Sequence, residues 1–400
     1  MIQIKDKVNC SGCSACYNIC PQKAIEMHED EEGFAYPKID ANKCINCNLC
    51  EKVCPILNKI DNNKLDNETE TLAYIAYNKD KNVRDTSAAG GIFSALAEKI
   101  IDLKGVVFGA SFNDKFEVIH TYTENKEDLK KFRGSKYVQS VIGDSYRIVK
   151  EFLKKDRYVL FSGTTCQVEG LKKYLGKEYE RLYLVDLVCH GVPSPKVIRK
   201  YKEYQQKKYK SKITYMSYRE KTFGATSTTL SLQFENGKRY SRGHESDFIL
   251  GAFLKGIISR PSCYNCKFKT IHRISDITLG DIWHINQLDN EFHSENGNTA
   301  LLVHTTKGKK LLLSTNLLYV KEENLNDVLT LNANGKPSMV TESAKLPKER
   351  EEFFAELDKN DFSKIVKKYY PQNIKASIKL AFKKILFRLG ILEKLKKFKG

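Results

Sequence analysis

The feature that most constrains this chain is a cysteine run that occurs twice. Cys10, Cys13, Cys16 and Cys20-Pro21 return as Cys44, Cys47, Cys50 and Cys54-Pro55, each position shifted by 34 residues. The run C-x2-C-x2-C-x3-C-P is the ligand spacing of bacterial two-cluster ferredoxins, in which the fourth cysteine of each run serves the other cluster. Three closely spaced thiolates wrap a cubane corner by corner, and the proline turns the chain to hand over the fourth. One 4Fe-4S cluster is therefore expected on Cys10, Cys13, Cys16 and Cys54, and a second on Cys44, Cys47, Cys50 and Cys20. Structural zinc is the alternative, but zinc sites pair their cysteines in twos across long gaps. A radical-forming S-adenosylmethionine cluster needs C-x3-C-x2-C, and Lys23 or Leu57 stands where its last cysteine belongs.

The rest of the chain is organised around this module. Residues 1–56, with a turn between short strands in His28 to Asp40, are too poor in apolar residues to fold well without metal. Residues 57–70 read as a linker, so a chain starting near Thr71 is expected to keep its own redox centres. Beyond it strand and helix periods alternate. Strands are predicted at 71–77, 105–112, 116–121, 158–162 and 182–188. Helices are predicted at 91–103, from Ser140 as cap to 155, up to Leu175, and from Ser194-Pro195. Strands at 212–219 and 228–234, with a return across Glu235-Asn236-Gly237-Lys238, form an antiparallel portion. The expected fold class is α+β / α/β: a bacterial ferredoxin-like 2x(4Fe-4S) domain, a mixed-sheet α/β body (71–155 and 156–340), and a helical basic tail (341–400).

The net charge of +18 points first to nucleic acid or an anionic membrane. Yet residues 364–400 hold 11 Lys and one Arg against one Glu, so this short segment supplies most of the excess. No nucleic acid is expected as a partner. In the tail, Ile374, Ile378, Phe382, Ile385, Leu389 and Leu392 form one helical stripe with lysines around it. Contact with an anionic membrane surface and packing on the body both fit that stripe. No secretory signal or membrane-length apolar run is read, so the expected place is the cytoplasm, with peripheral contact at the inner membrane surface through the tail.

Four cysteines remain: Cys166, Cys189, Cys263 and Cys266. Cys166 and Cys189 follow consecutive predicted strands, and if these are parallel neighbours both thiols emerge at one carboxyl edge of the sheet. With Cys263-x2-Cys266 they suit a third 4Fe-4S cluster. A structural zinc, a C-x-x-C redox pair and plain buried thiols are the other readings. Clusters pass single electrons and commonly end at a flavin, which collects two. Ser87-Ala88-Ala89-Gly90-Gly91 before a helix suits a phosphate, though a turn without ligand has the same look. Arg133 to Ser140 is a second candidate loop, or a solvated basic one. No G-x-G-x-x-G, P-loop, H-E-x-x-H or G-x-S-x-G occurs. His120, His304 and Trp283 read as packing residues, and no catalytic residue is assigned beyond His190 as a candidate acid or base.

Several strings, in this order, resemble the family of coenzyme F420 hydrogenase/dehydrogenase beta subunits in its form with a fused two-cluster ferredoxin. They are SAAGGIFSALA at Ser87, RGSKYVQS at Arg133, FSGTTCQVEGL at Phe161, DLVCHGVPSP at Asp186, PSCYNCKFK at Pro261 and SDITLGDIWH at Ser275. The resemblance spans roughly residues 1 to 320. It implies FAD beside a 4Fe-4S cluster on Cys166, Cys189, Cys263 and Cys266. It also implies flavin contacts from Ser87, Gly90, Gly91, Arg133, Ser135, Lys136, Tyr137 and Gln139, with Thr164 and Thr165. The implied activity is that of a ferredoxin-linked iron-sulfur flavin oxidoreductase. Its donor would be ferredoxin or another iron-sulfur redox protein, and its acceptor, a small molecule or a protein, stays open. The alternative is a non-enzymatic electron-transfer adaptor for a partner oxidoreductase.

Overall fold

The computed structural model describes residues 2–58, 70–222, 224, 228–282, 292, 297–331, 340–371, 378, 382, 385–386 and 391. The expected linker, Trp283 and most of the basic tail lie outside the described residues. In the first segment the expected turn is a hairpin of β1 (Ile25–Glu29) and β2 (Ala35–Ile39), set between helices α1 (Ala15–Ile19) and α2 (Leu49–Lys52). Each helix is preceded by a left-handed residue at the same place in the cysteine run, Ser14 at φ 62° and Asn48 at φ 58°. The repeat in sequence is thus also a repeat in backbone.

The body follows in the order β3 (Leu72–Asn78), α3 (Lys81–Thr86), α4 (Ile92–Asp102), β4 (Val106–Phe112), β5 (Val118–Thr123), α5 (Ser145–Lys154), β6 (Val159–Ser162), α6 (Thr165–Leu175), β7 (Leu182–Leu187) and α7 (Pro195–Tyr209). Then come β8 (Ile213–Glu220), β9 (Thr229–Phe234), β10 (Arg239–Gly243), α8 (Phe248–Leu254), β11 (Ile277–Asp281), β12 (Thr299–Val303), α9 (Thr306–Leu313) and β13 (Leu318–Glu323). An eight-stranded mixed sheet has the order β13-β3-β12-β11-β7-β6-β4-β5. Its centre, β4, β6, β7 and β11, is parallel. Val159, Leu160 and Phe161 of β6 are fully buried, as expected of a central parallel strand covered on both faces. Strands β8 to β10 form the predicted antiparallel sheet, with Gly237 at φ +77° in the turn.

Of the two predicted helix caps, one is found and one is not. Ser194 caps α7, its hydroxyl accepting from the Val197 amide. Ser140 does not cap α5, which starts at Ser145. Val141 is instead paired with β5, its amide donating to the Val118 carbonyl while its own carbonyl accepts from His120. That pairing holds the preceding loop along the sheet edge. The Ser140 hydroxyl accepts from Gln167 Nε2 at 2.9 Å.

The first segment packs closely on the body. Cys13 and Ala15 belong to the same apolar core as Phe161, Val168 and Leu171. Gly170 of α6 permits this approach, since a Cβ there would lie 3.0 Å from that of Cys13. Arg147 Nε donates to the Asn18 carbonyl at 2.9 Å, and Arg350 forms a two-pronged ion pair with Glu32 at 2.8 and 2.5 Å. A second difference lies in residues 341–400. Helices Arg350–Glu356 and Phe362–Tyr369 belong to the body, because Phe353, Leu357 and Ile365 pack with Leu230, Leu232 and Phe248. In the tail stripe, Ile378, Phe382 and Ile385 are helical and exposed.

Candidate functional site

The twelve cysteines gather into the three expected sets, each lining its own cavity. Cys10, Cys13, Cys16 and Cys54 surround one, and Cys20, Cys44, Cys47 and Cys50 a second. Cys166, Cys189, Cys263 and Cys266 surround a third. Among the described residues no three His, Cys, Asp or Glu side chains converge on one ion-sized point. Zinc draws its ligands to such a point, whereas a cubane is held at its corners by thiolates spread around a volume. Four thiols around each cavity supply the donor number of one 4Fe-4S cluster. Burial pushes the Cys13, Cys16, Cys166, Cys189 and Cys266 thiols up, and that of Cys263 up to about 12. Thiols so placed are protonated until a metal displaces the proton.

The third set is built at the carboxyl edge of the sheet. Strands β6 and β7 are parallel neighbours, Cys166 opens α6 just after β6, and Cys189 follows β7. Cys263 and Cys266 come from a short 3-10 turn at Pro261–Asn265. Lys267, Lys269 and Arg273 line this cavity, and among the described residues no carboxylate does. Lys269 Nζ donates to the Cys189 carbonyl at 2.6 Å. Arg273 is held by Asp186 at 3.1 Å and donates to Thr165 Oγ1 at 3.0 Å, both arginine and aspartate side chains being almost fully buried. Such a cationic lining suits an anionic four-thiolate group.

Next to it lies the large cavity of the molecule's body, about 360 Å³, at the ends of all four parallel strands. The structure brings Ser87, Gly91, Arg133, Ser135, Lys136, Tyr137, Gln139 and Thr164 to its wall. Gly90 and Thr165 are not on it. Gly90 lies behind, its amide donating to Thr299 Oγ1, and Thr165 faces the third thiol cavity. The first turn of α4 lines the cavity with Gly91 at its cap and no side-chain cap bond, leaving backbone N–H groups for an anion. Lys136 Nζ donates to the carbonyls of Phe132, Arg133 and Gly134, and burial pushes its pKa down to about 7. Gln139 is already engaged: its Nε2 donates to the Ser11 carbonyl and its Oε1 accepts from Arg260. Cys166, Cys189 and His190 line both this cavity and the third thiol cavity. His190 is half-buried, its enclosed Nε2 has no hydrogen-bond partner among the described residues, and burial lowers its pKa.

Some residues of the site were not anticipated. His120 lines the large cavity, stacked on Phe161 and bonded through Nε2 to the Ser162 carbonyl, and burial pushes it down to about 4. The Arg219–Asp281 ion pair forms part of the wall opposite. Arg260, Lys269 and Arg273 flank Cys263 and Cys266 in sequence, so their position was the available signal. His304 is a core residue as expected, between Thr71 and Thr278.

Residues 156–327 match the family described as the C terminus of the coenzyme F420 hydrogenase/dehydrogenase beta subunit, and residues 9–57 match the 4Fe-4S dicluster domain. The F subunit of F(420)H(2) dehydrogenase from Methanosarcina mazei is 28% identical over 204 residues, which are 47% of this chain and 57% of that protein. The PorD subunit of pyruvate synthase from Methanocaldococcus jannaschii is 42% identical over 53 residues, 13% of this chain and 57% of that protein. The chain thus spans little more than half the length of these two relatives. A chain from the F420-reducing NiFe hydrogenase complex of Methanosarcina barkeri aligns with a TM-score of 0.44 and 16% identity, over 76% of this chain and 94% of that one. Among the described residues no helix is long and apolar enough to cross a membrane. With its ferredoxin run in residues 9–57 and the matching C-terminal region in 156–327, the chain matches the family of coenzyme F420 hydrogenase/dehydrogenase beta subunits with an N-terminal 4Fe-4S dicluster domain.

Proposed function

We propose that this chain is a ferredoxin-linked iron-sulfur flavoprotein that carries electrons between an iron-sulfur partner and an acceptor reached through the large cavity. The observation that carries the reading is a series of adjoining sites: Cys16 of the first set packs in one cluster with Cys20 and Cys50 of the second, and the three inner cavities share walls. Ser11 and Ile56 line both the Cys10 cavity and the third thiol cavity, and Cys166 and Cys189 line both the third cavity and the large one. At the outer end, Cys47 is exposed beside Ile45, which is 60% exposed. When bound, 4Fe-4S clusters supply one-electron transfer and FAD supplies the exchange between one and two electrons.

Each residue has a role in that reading. The Cys10 and Cys44 sets hold the two clusters of the dicluster domain, and Cys166, Cys189, Cys263 and Cys266 hold a third. Arg133, Lys136 and the open first turn of α4 meet the flavin pyrophosphate, with Ser87, Gly91, Ser135, Tyr137 and Thr164 shaping the wall. His190 stands between the last two sites as the side chain placed to move a proton. Leu187 and Leu254 line the large cavity and are each more than a third exposed. They favour a second reading, in which a protein partner covers the mouth and the chain serves as its adaptor. The exposed Ile378, Phe382 and Ile385 support contact of the tail with an anionic membrane surface. Deleting residues 372–400 should remove salt-sensitive binding to anionic vesicles.

The decisive experiment is anaerobic analysis of the purified chain. About twelve iron and twelve sulfide per chain, with FAD released on denaturation, are expected. Eight irons with one zinc, or no flavin, would refute the third cluster or the flavin site respectively.

A further inference from the structure

Arg260 is a cation enclosed against the first cysteine set. It is fully buried, and among the described residues no carboxylate pairs with it. Its Nε donates to the Cys10 carbonyl at 2.8 Å, its Nη2 to the Ala35 carbonyl at 3.0 Å, and its Nη1 to Gln139 Oε1 at 2.7 Å. Nη2 also reaches Cys10 Sγ at 3.7 Å, and the guanidinium lies over Tyr36, 4.3 Å from the ring centroid. Gly12, between Cys10 and Cys13, makes the approach feasible: at φ +69° a Cβ there would sit 2.7 Å from Arg260 Nη1. A buried guanidinium with only neutral partners costs several kcal/mol. The group able to balance it is the anionic sulfur of Cys10 and its set.

The opposite situation holds at the Cys44 set. Its cavity is lined by apolar and amide side chains and no cation, and Cys47 is open to water. Water stabilises the more negative, reduced state of an exposed cluster, whereas docking against the body has removed water from the Cys10 set. Desolvation alone would make the inner cluster the harder of the two to reduce and would place an uphill step in the path.

We propose that Arg260 replaces that lost water as the charge balance of the inner cluster and keeps its electron affinity at or above that of the outer one. Charge and hydrogen bonds at the sulfurs set the potentials of such clusters. The step concerned is a single electron passing inward, the outer cluster oxidised by one electron as the inner is reduced by one, with no atom or proton moved. The inference needs the two clusters of residues 9–57 and not the flavin, so it stands or falls apart from the reading above.

The test is a redox titration of the full chain followed by electron paramagnetic resonance. Cys47→Ser, at the exposed ligand, identifies the outer signal. In the unaltered protein the inner signal should appear at or above the potential of the outer. Arg260→Met should lower the inner cluster's electron affinity about tenfold, equal to about 59 mV for one electron, leaving the outer signal in place. Arg260→Lys, which keeps the charge, should retain most of it. An inner potential clearly below the outer in the unaltered protein overturns the proposal without recourse to any variant. So does an Arg260→Met protein in which both clusters are loaded and the inner potential is unmoved.

Discussion

The two copies of the cysteine run share spacing, proline and even the left-handed residue before each helix, yet they live in different surroundings. In the first copy Cys13 and Cys16 are each 8% exposed, Cys13 packed against α6 and Cys16 against Ile2 and Ile25 of its own segment. In the second, Cys47 and Leu49 are exposed and Ile45 more so. Ligand spacing is a local property and was duplicated with the run. Environment is a property of the docking, and the body covers one copy only. A chain with two equivalent halves thereby acquires an inside and an outside, which is what directional electron transfer requires.

The largest effect should come from removing the ferredoxin segment. A chain starting at Thr71 takes from Arg260 and Arg350 their partners in the ferredoxin segment and bares to water the apolar face of α6 and β6 that Cys13 and Ala15 cover. With a total of about 5 to 15 kcal/mol for an ordinary domain, the shortened body should aggregate or melt far below the full chain. A body that melts at an unchanged temperature would show the two copies to be equally independent of it. Smaller, and more selective, is the contrast between two ion pairs. Glu32→Ala breaks the enclosed pair with Arg350 and should cost about 3 kcal/mol. Asp40→Ala, at the exposed pair with Lys43, should shift the denaturation midpoint far less. Denaturant titrations of both variants decide it, and equal losses would remove the asymmetry.

The smallest effect concerns Lys136 at the far end of the series. Burial holds its folded pKa at about 7, below the ordinary 10.5. Between those values the unfolded chain holds the proton and the folded one does not, so this residue's contribution to stability rises with pH across that window. Flavin pyrophosphate needs the charged amine. Reconstitution with FAD should therefore be strongest below about pH 7 and weaken above it, by at most about tenfold per pH unit. Lys136→Met should abolish that dependence, and a profile unchanged in the variant would remove the residue from the binding site.

Much of the site is legible in the sequence because its chemistry is local. The three thiol sets, the strand pair that aims Cys166 and Cys189 and the Ser194-Pro195 helix start are written in short spacings. Other features depend on partners far along the chain. Arg260 meets Cys10 across 250 residues, and Arg350 meets Glu32 across 318. Gly90 and Thr165 belong to the right strings, but their neighbours Thr299 and Arg273 turn them away from the large cavity. Ser140 looks like a helix cap because Val141's pairing with β5 is not visible in the adjacent residues. The ferredoxin segment looks separable for the same reason: a polar stretch marks where a chain crosses between units, and says nothing of how they pack.

The central claim is that the adjoining sites form one path from the exposed Cys47 end to the large cavity. Rapid mixing of the oxidised, flavin-loaded chain with reduced ferredoxin, sampled by freezing for paramagnetic resonance and followed in parallel by flavin absorbance, tests it directly. Cluster reduction should precede flavin bleaching, and Cys47→Ser should slow both together. Flavin bleaching ahead of any cluster signal, or at full rate in Cys47→Ser, would contradict it.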